Sequence, residues 1–212
     1  YCDDPTLCNK LNVQNIGSQI PFIFARIHGG LGNQLFQCAA AVGIAKMTNR
    51  LPVLVFTDSP IHYQHNKVLR EYIDTVFKGM CCISFEHVQK VINNDALCLQ
   101  WSEVHSGVPP DACFTFQKQT IDALNATGHH VFLNGYFQNE LYFKNNRDYL
   151  LNRFTLKEEI QNKIKDESKK WGTAKTTALH IRRGDYLNLS EHHPVLSDSY
   201  YREAADSISG DT

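Results

Sequence analysis

One stretch constrains the fold more than any other: an apolar run, a glycine turn, a helical stripe and a second apolar run, read between Phe22 and Phe56. Phe22-Ile23-Phe24-Ala25-Arg26-Ile27 has the composition of a buried strand. Gly29-Gly30-Leu31-Gly32 follows as a tight turn. From about Gln34 to Met47 the apolar residues fall at helical spacing, with Leu35, Ala39 and Val42 on one stripe and Phe36, Ala40 and Gly43 beside it. Leu51-Pro52-Val53-Leu54-Val55-Phe56 is a second buried strand. Strand, turn, helix, strand is a βαβ unit, so the chain is expected to be α/β with a parallel sheet.

The remainder reads around that unit. Residues 1–20 are a polar leader or stem. Leu97-Cys98-Leu99-Gln100-Trp101 and His130-Val131-Phe132-Leu133 are further short strands, and Val108-Pro109-Pro110-Asp111 marks a loop. Thr155 with Glu158 has the spacing of a capping box, opening a helix to about Trp171. Ala178 to Arg182 reads as a strand, and Tyr201, Ala204, Ala205 and Ile208 form a helical stripe after it. The expected organisation is an N-terminal α/β domain over 21–155, a helical linker over 156–175, and the opening strand and helix of a second, truncated domain over 176–212.

Three stretches carry chemistry. Between the first strand and its helix, Gly29 to Gln34 brings backbone N–H groups and a helix N-terminus to the carboxyl end of a sheet, a common ligand position in open α/β folds. Gly30-x-Gly32-x-x-Leu35 lacks the third glycine of a dinucleotide fingerprint, and no Gly-Lys-Ser/Thr follows. Asn33 and Gln34 instead supply amides suited to sugar hydroxyls or a diphosphate; a purely structural turn is the alternative. Gly135-Tyr136-Phe137-Gln138 mixes aromatics with amides after a strand, as a sugar site does and as an ordinary strand-to-helix corner does. His180-Ile181-Arg182-Arg183-Gly184-Asp185-Tyr186 sets two guanidiniums at a strand exit. Alternation would turn Leu179 and Ile181 toward a core and His180 and Arg182 to the other face. Paired guanidiniums grip phosphate oxygens bidentately at any working pH; a surface Arg–Asp pair is the bland alternative.

Composition narrows the class. A net charge of −1 over 212 residues argues against bulk nucleic-acid binding. No run is long enough for a membrane span, and no signal peptide is visible. Seven cysteines (Cys2, Cys8, Cys38, Cys81, Cys82, Cys98 and Cys113) show no zinc spacing. Cys2 and Cys8 could close a small loop in an oxidising compartment, and Asn125-Ala126-Thr127 and Asn188-Leu189-Ser190 are glycosylation sequons. These features tilt the reading toward a secretory lumen. His129-His130 and His192-His193 place no third metal ligand, and Arg183-Gly184-Asp185 at a strand exit is a fortuitous integrin-type tripeptide.

Taken together, Gly29 to Gln37, Gly135 to Phe143, His180 to Tyr186 and the segment from Val195 to Tyr201 resemble, in order, the motifs of the inverting galactoside α-1,2-fucosyltransferases. The resemblance spans about residues 22–209. It implies a two-domain GT-B-like fold. It implies transfer of fucose from GDP-fucose to the 2-hydroxyl of a terminal galactoside, with inversion and without an essential metal or other cofactor. By resemblance, Arg182 and Arg183 hold the donor diphosphate with His180 and Asp185 shaping that site, and Gly30, Gly32, Asn33 and Gln34 face the donor from the first domain. Arg182 and Asp185 are the catalytic candidates; beside two arginines Asp185 should be a weak base and is better read as a salt-bridge partner. Tyr136 and Gln138 are acceptor-side candidates. Gln37 stands where vertebrate-type members have Glu, which removes one carboxylate from the cleft.

The implied partners are GDP-fucose and a galactose-terminated glycan, with no nucleic acid and a possible membrane anchor outside this stretch. The implied location is the lumenal side of the Golgi membrane, or the cytoplasm for a bacterial or viral source. The family continues past Thr212, so the chain reads as a fragment with little activity alone. A non-catalytic glycan- or nucleotide-binding relative is the alternative function, and a Rossmann oxidoreductase fails at Leu35.

Overall fold

The five strands form one parallel sheet in the order β3-β2-β1-β5-β4. They are β1 (Phe22–Arg26), β2 (Leu51–Phe56), β3 (Cys82–Ser84), β4 (Cys98–Ser102) and β5 (His130–Asn134). The computed structural model describes residues 20–56, 72, 75–77, 79–103, 114–172, 176–188 and 194–209. Its chain divides into two units, Tyr1–Ile160 and Gln161–Thr212, and the sheet belongs to the first. Residues 1–19 of the expected leader, the Val108–Asp111 loop, Leu189 and Ser190 of the second sequon, Cys2, Cys8, Cys113 and His192-His193 lie outside the described residues.

Alternation along the strands explains the layering. Ile23, Ala25, Leu54, Cys82, Val131 and Leu133 pack against helix α1 (Leu31–Met47) and the segment leading to Leu150. Phe22, Phe24, Val53, Val55 and Phe132 pack on the other face against Val88, Val91 and Ile92 of α2 (Phe85–Ile92). Helix α1 starts at Leu31, three residues before the expected Gln34, because extended Gly30 serves as its N-cap. Its burial is wider than two stripes: every residue from Gln37 to Ala45 is buried. Gly43 permits this. A Cβ there would lie 1.8 Å from the Tyr142 carbonyl oxygen and 2.9 Å from Phe143 Cα. The helix therefore touches the backbone of the short 3₁₀ turn Glu140–Tyr142.

Arg50 fastens the opposite end of the sheet. It is 5% exposed. Its guanidinium donates to the carbonyls of Thr48, Leu124, Thr127 and His129 at 2.9–3.0 Å. One cation thus ties together carbonyl groups at the ends of α1 and of α3 (Lys118–Asn125). His130 Nδ1 accepts the backbone N–H of Phe22 at 3.0 Å, which ties β5 to the start of β1. Burial holds this imidazole below its ordinary pKa, with the neighbouring Arg50 adding to the effect.

Two local expectations are corrected. Thr155 does not cap the helix that follows. Its hydroxyl donates back to the carbonyls of Leu151 and Asn152, closing α4 (Arg147–Arg153), and α5 (Glu158–Lys169) opens later on Glu158 and Glu159. The acidic first turn complements the helix dipole without a capping box. In the second unit, Ala178–Arg182 is not a strand, and Leu179 and Ile181 are 53% and 47% exposed rather than core-facing. Among the described residues of that unit no neighbouring strand supplies the ladder that β structure requires. Among its described residues the unit holds most of α5, a 3₁₀ turn (Gly184–Asn188) and α6 (Asp198–Ser209), in which Tyr201 is the buried member of the expected stripe while Ala205 and Ile208 are exposed.

The described cysteines Cys38, Cys81, Cys82 and Cys98 are buried and form no disulfide with one another. Burial pushes the Cys98 thiol up to about 12. Among the described residues no helix is long and apolar enough to cross a membrane.

Candidate functional site

β1 and β5 are neighbours in the sheet although their sequences are far apart, and the chain after each leaves the sheet at the same edge. In open parallel sheets, a break in strand order of this kind opens a crevice at the carboxyl ends. Two of the three sequence motifs meet there. The Gln138 side-chain amide donates to Asn33 Oδ1 at 2.7 Å, joining the aromatic–amide stretch to the glycine turn. Tyr136 lies against His28, with ring centroids 4.9 Å apart.

The glycine turn owes its shape to Gly29, whose φ of +78° favours glycine. The Gln34 amide donates to the Gly29 carbonyl at 2.8 Å and so braces the turn from inside; Gln34 is 1% exposed and its Oε1 has no partner among the described residues. Gly30 and Gly32 have open space where a Cβ would stand, and the first N–H groups of α1 are left without intrahelical acceptors. Bare backbone donors at a helix start suit an oxygen-rich anion.

The second loop is held from below by a residue that sequence reading missed. Glu103 directly follows β4 and is 5% exposed. Its Oε2 accepts the Phe137 N–H at 2.7 Å, and Oε1 has no partner. Gly135 is required here, because a Cβ would lie 2.6 Å from that carboxylate. Phe137 adopts φ +51°, a left-handed conformation that an L-residue takes at a cost of about 1 kcal/mol or more. The carboxylate holds this turn and thereby aims Tyr136 and Gln138. Burial raises the Glu103 carboxyl above its ordinary pKa, against the opposing pull of the Phe137 and Tyr136 backbone donors. Only a lone acidic residue between Ser102 and Val104 marks it in the sequence.

Across the same edge, Arg26 donates to Asn134 Oδ1 at 3.2 Å, and the Asn134 amide donates to Ser102 Oγ at 3.1 Å. The carboxyl ends of β1, β5 and β4 are thus linked in a row. A separate apolar cavity of about 360 Å³ lies between α1 and the 140–154 segment, lined by Leu35, Ala39, Phe143, Leu150 and Phe154 among others. It shares no lining residue with the crevice.

The guanidinium motif lies in the second unit. His180, Arg182 and Arg183 are exposed. Gly184 has φ +48°, so the chain turns at the expected glycine. Arg182 stacks over the Tyr186 ring, 4.4 Å from its centroid, and Arg183 forms a 2.8 Å ion pair with Asp198 at the start of α6. An exposed pair of this kind contributes about 0–1 kcal/mol and can be exchanged for a tighter anion. The Asp185 side chain lies outside the described residues.

An open parallel sheet with a polar crevice at its carboxyl edge is consistent with a Rossmann-like glycosyltransferase. Residues 112–212 match the model of glycosyl transferase family 11. The resemblance to the α-1,2-fucosyltransferases is thereby supported at the level of family. The chain is 28% identical over 203 residues to the O-antigen biosynthesis glycosyltransferase WbnK of Escherichia coli, covering 86% of this chain and 66% of that protein. It is 25% identical over 190 residues to an alpha-1,2-colitosyltransferase of Escherichia coli, covering 84% of this chain and 61% of that protein. The chain therefore spans slightly under two thirds of the length of these relatives. No solved structure gives a significant match.

Proposed function

We propose that this chain is the sugar-transferring part of a glycosyltransferase that moves fucose from GDP-fucose to the 2-hydroxyl of a terminal galactoside with inversion. The observation that supports it most is the Gln138–Asn33 hydrogen bond, because it joins two family motifs into one polar crevice. Aromatic and amide groups side by side are the chemistry of sugar recognition. In this reading Gly30, Gly32, Asn33 and Gln34 serve the donor, while Tyr136 and Gln138 serve the acceptor. His180, Arg182 and Arg183 serve the diphosphate, with Asp185 as their acidic companion.

The chemistry follows from charge. Breaking the sugar–phosphate bond leaves GDP with growing negative charge, and preorganised guanidiniums lower that barrier. Inversion requires a single displacement in which the acceptor hydroxyl gives up its proton to a base or a water relay. The name of the second relative makes an activated colitose the competing donor.

A direct test is transfer of radiolabelled fucose from GDP-fucose to lactose by a protein containing this chain, with Arg182→Ala as control. Product with the label on the galactose 2-hydroxyl, lost in Arg182→Ala, is the expected result. Transfer from the colitose donor alone would overturn the fucose assignment. A binding relative without transfer is the second reading, favoured by the Arg183–Asp198 pair, which occupies one guanidinium of the grip. It predicts GDP or glycan binding with no product.

A further inference from the structure

We propose that His28 is an acceptor-binding residue of this crevice: a neutral imidazole locked in one tautomer, whose Nε2–H donates to a hydroxyl of a sugar packed on Tyr136. The identity of that sugar rests on the transfer reading above; the tautomer does not.

The lock is Gln37, which is 1% exposed and lies in α1 under the glycine turn. Its Oε1 accepts the backbone N–H of His28 at 3.0 Å. A backbone N–H can only donate, so that end of the amide is oxygen. The other end is therefore nitrogen, and it lies 3.1 Å from His28 Nδ1. An amide nitrogen can only donate, so Nδ1 must present its lone pair and carry no proton. The ring proton therefore sits on Nε2.

The surroundings keep the ring uncharged. His28 is half-buried, and burial lowers its pKa, with the nearby Arg26 cation adding to the effect and the Arg26 backbone carbonyl beside the ring opposing it in part. Tyr136 covers one side of the ring. A neutral N–H donor beside an aromatic face, with the joined amides of Asn33 and Gln138 close along the chain, fits an uncharged hydroxylated ligand. The same geometry rules His28 out as the base for the acceptor proton: one ring nitrogen is occupied by Gln37 and the other holds the hydrogen. A glutamate at position 37 would reverse this. Its carboxylate would accept from both the His28 N–H and an Nδ1–H, leaving Nε2 as an acceptor.

The test reads the imidazole directly. Protein labelled with ¹⁵N-histidine gives long-range ¹H–¹⁵N correlations that distinguish the two tautomers and the cation, and His28→Gln assigns the resonance. At pH 7 the expected form is Nε2-protonated and neutral, with Gln37→Glu converting it to Nδ1-protonated. Titration with methyl β-D-galactopyranoside should shift the His28 signals, and GDP should not. An Nδ1-protonated or doubly protonated wild-type ring would overturn the tautomer. A response to GDP alone, or to neither ligand, would overturn the acceptor assignment.

Kinetics supply a second readout. His28→Ala should raise the acceptor KM about tenfold, as loss of one hydrogen bond does, while the KM for GDP-fucose stays unchanged. His28→Gln, whose amide reaches toward the Nε2 position, should recover part of the loss. A merely structural histidine would move both KM values together or neither. If the wild type transfers no fucose yet the galactoside shifts His28, the transfer reading fails and this assignment stands.

Discussion

Replacing Gly43 with alanine sets two known effects against each other. In a helix interior alanine is favoured over glycine by about 1 kcal/mol, so the substitution should stabilise an isolated helix. In the fold, the added methyl would sit 1.8 Å from the Tyr142 carbonyl oxygen, 2.8 Å from its carbonyl carbon and 2.9 Å from Phe143 Cα. All three are backbone atoms, so no side chain can swing aside. Either α1 or the Glu140–Tyr142 turn must move by more than an ångström. Overpacking of a tight core costs about 1–3 kcal/mol for smaller intrusions than this, so the clash wins and the net loss should be about 2 kcal/mol. For a chain of this size that lowers Tm by roughly 4–8 °C. Urea unfolding of Gly43→Ala beside wild type measures it, with Gly32→Ala as control because nothing lies within 4 Å of a Cβ there. The control, unobstructed inside α1, should be at least as stable as wild type. A Gly43→Ala protein as stable as wild type, or more so, would refute the argument that close backbone approach sets this helix.

Arg50→Met should cost about 3–5 kcal/mol in urea unfolding, since it strands the Thr48, Thr127 and His129 carbonyls now served by one buried guanidinium, and Arg50→Lys should recover only part because an ammonium cannot fork. His130, buried and neutral, has a folded pKa below the unfolded value of about 6.5; the unfolded chain then binds more protons, so stability should be full above about pH 6.5 and decline as pH falls below it. His130→Asn, whose Oδ1 can accept the Phe22 N–H, should flatten that decline. Glu103 has the opposite sign: its raised folded pKa makes its contribution greatest below about pH 4.5 and lost as pH rises through the folded value. Stability of Glu103→Gln relative to wild type should therefore improve from pH 4.5 toward neutrality, and a difference that is flat with pH would count against a buried, costly carboxylate. Gln138→Ala removes the 2.7 Å bond to Asn33 and should raise the acceptor KM more than it lowers Tm.

The parallel sheet was legible because its strands are short apolar runs punctuated by glycine and polar turns, and because the helix between β1 and β2 carries a strong apolar pattern. The glycine turn and Gly135–Gln138 were legible as local motifs, and their union through Asn33 follows once β1 and β5 are neighbours. Glu103, Arg50 and His28 were not legible as working residues. Their partners come from remote segments: Glu103 from Phe137, Arg50 from Leu124 to His129. Nothing near them in sequence announces such partners. The run Ala178–Arg182 misled because alternation describes a strand's faces but not its ladder. Thr155 misled because a hydroxyl can donate backward to one helix as readily as it can cap the next.

The adjacency of β1 and β5 bears on how the protein is made. Phe22 reaches His130 and Arg26 reaches Asn134 across 108 positions of sequence. A ribosome that has delivered the chain as far as Phe56 has produced β1, α1 and β2, yet one edge of β1 still lacks its partner. That edge carries the backbone groups of Phe22, Phe24 and Arg26 unpaired, a template for the wrong strand of another nascent chain. The crevice therefore exists only after the last strand is inserted between two already made. Synthesis conditions that slow the stretch from β2 to β5 should lower the yield of folded protein before they alter anything about the finished molecule.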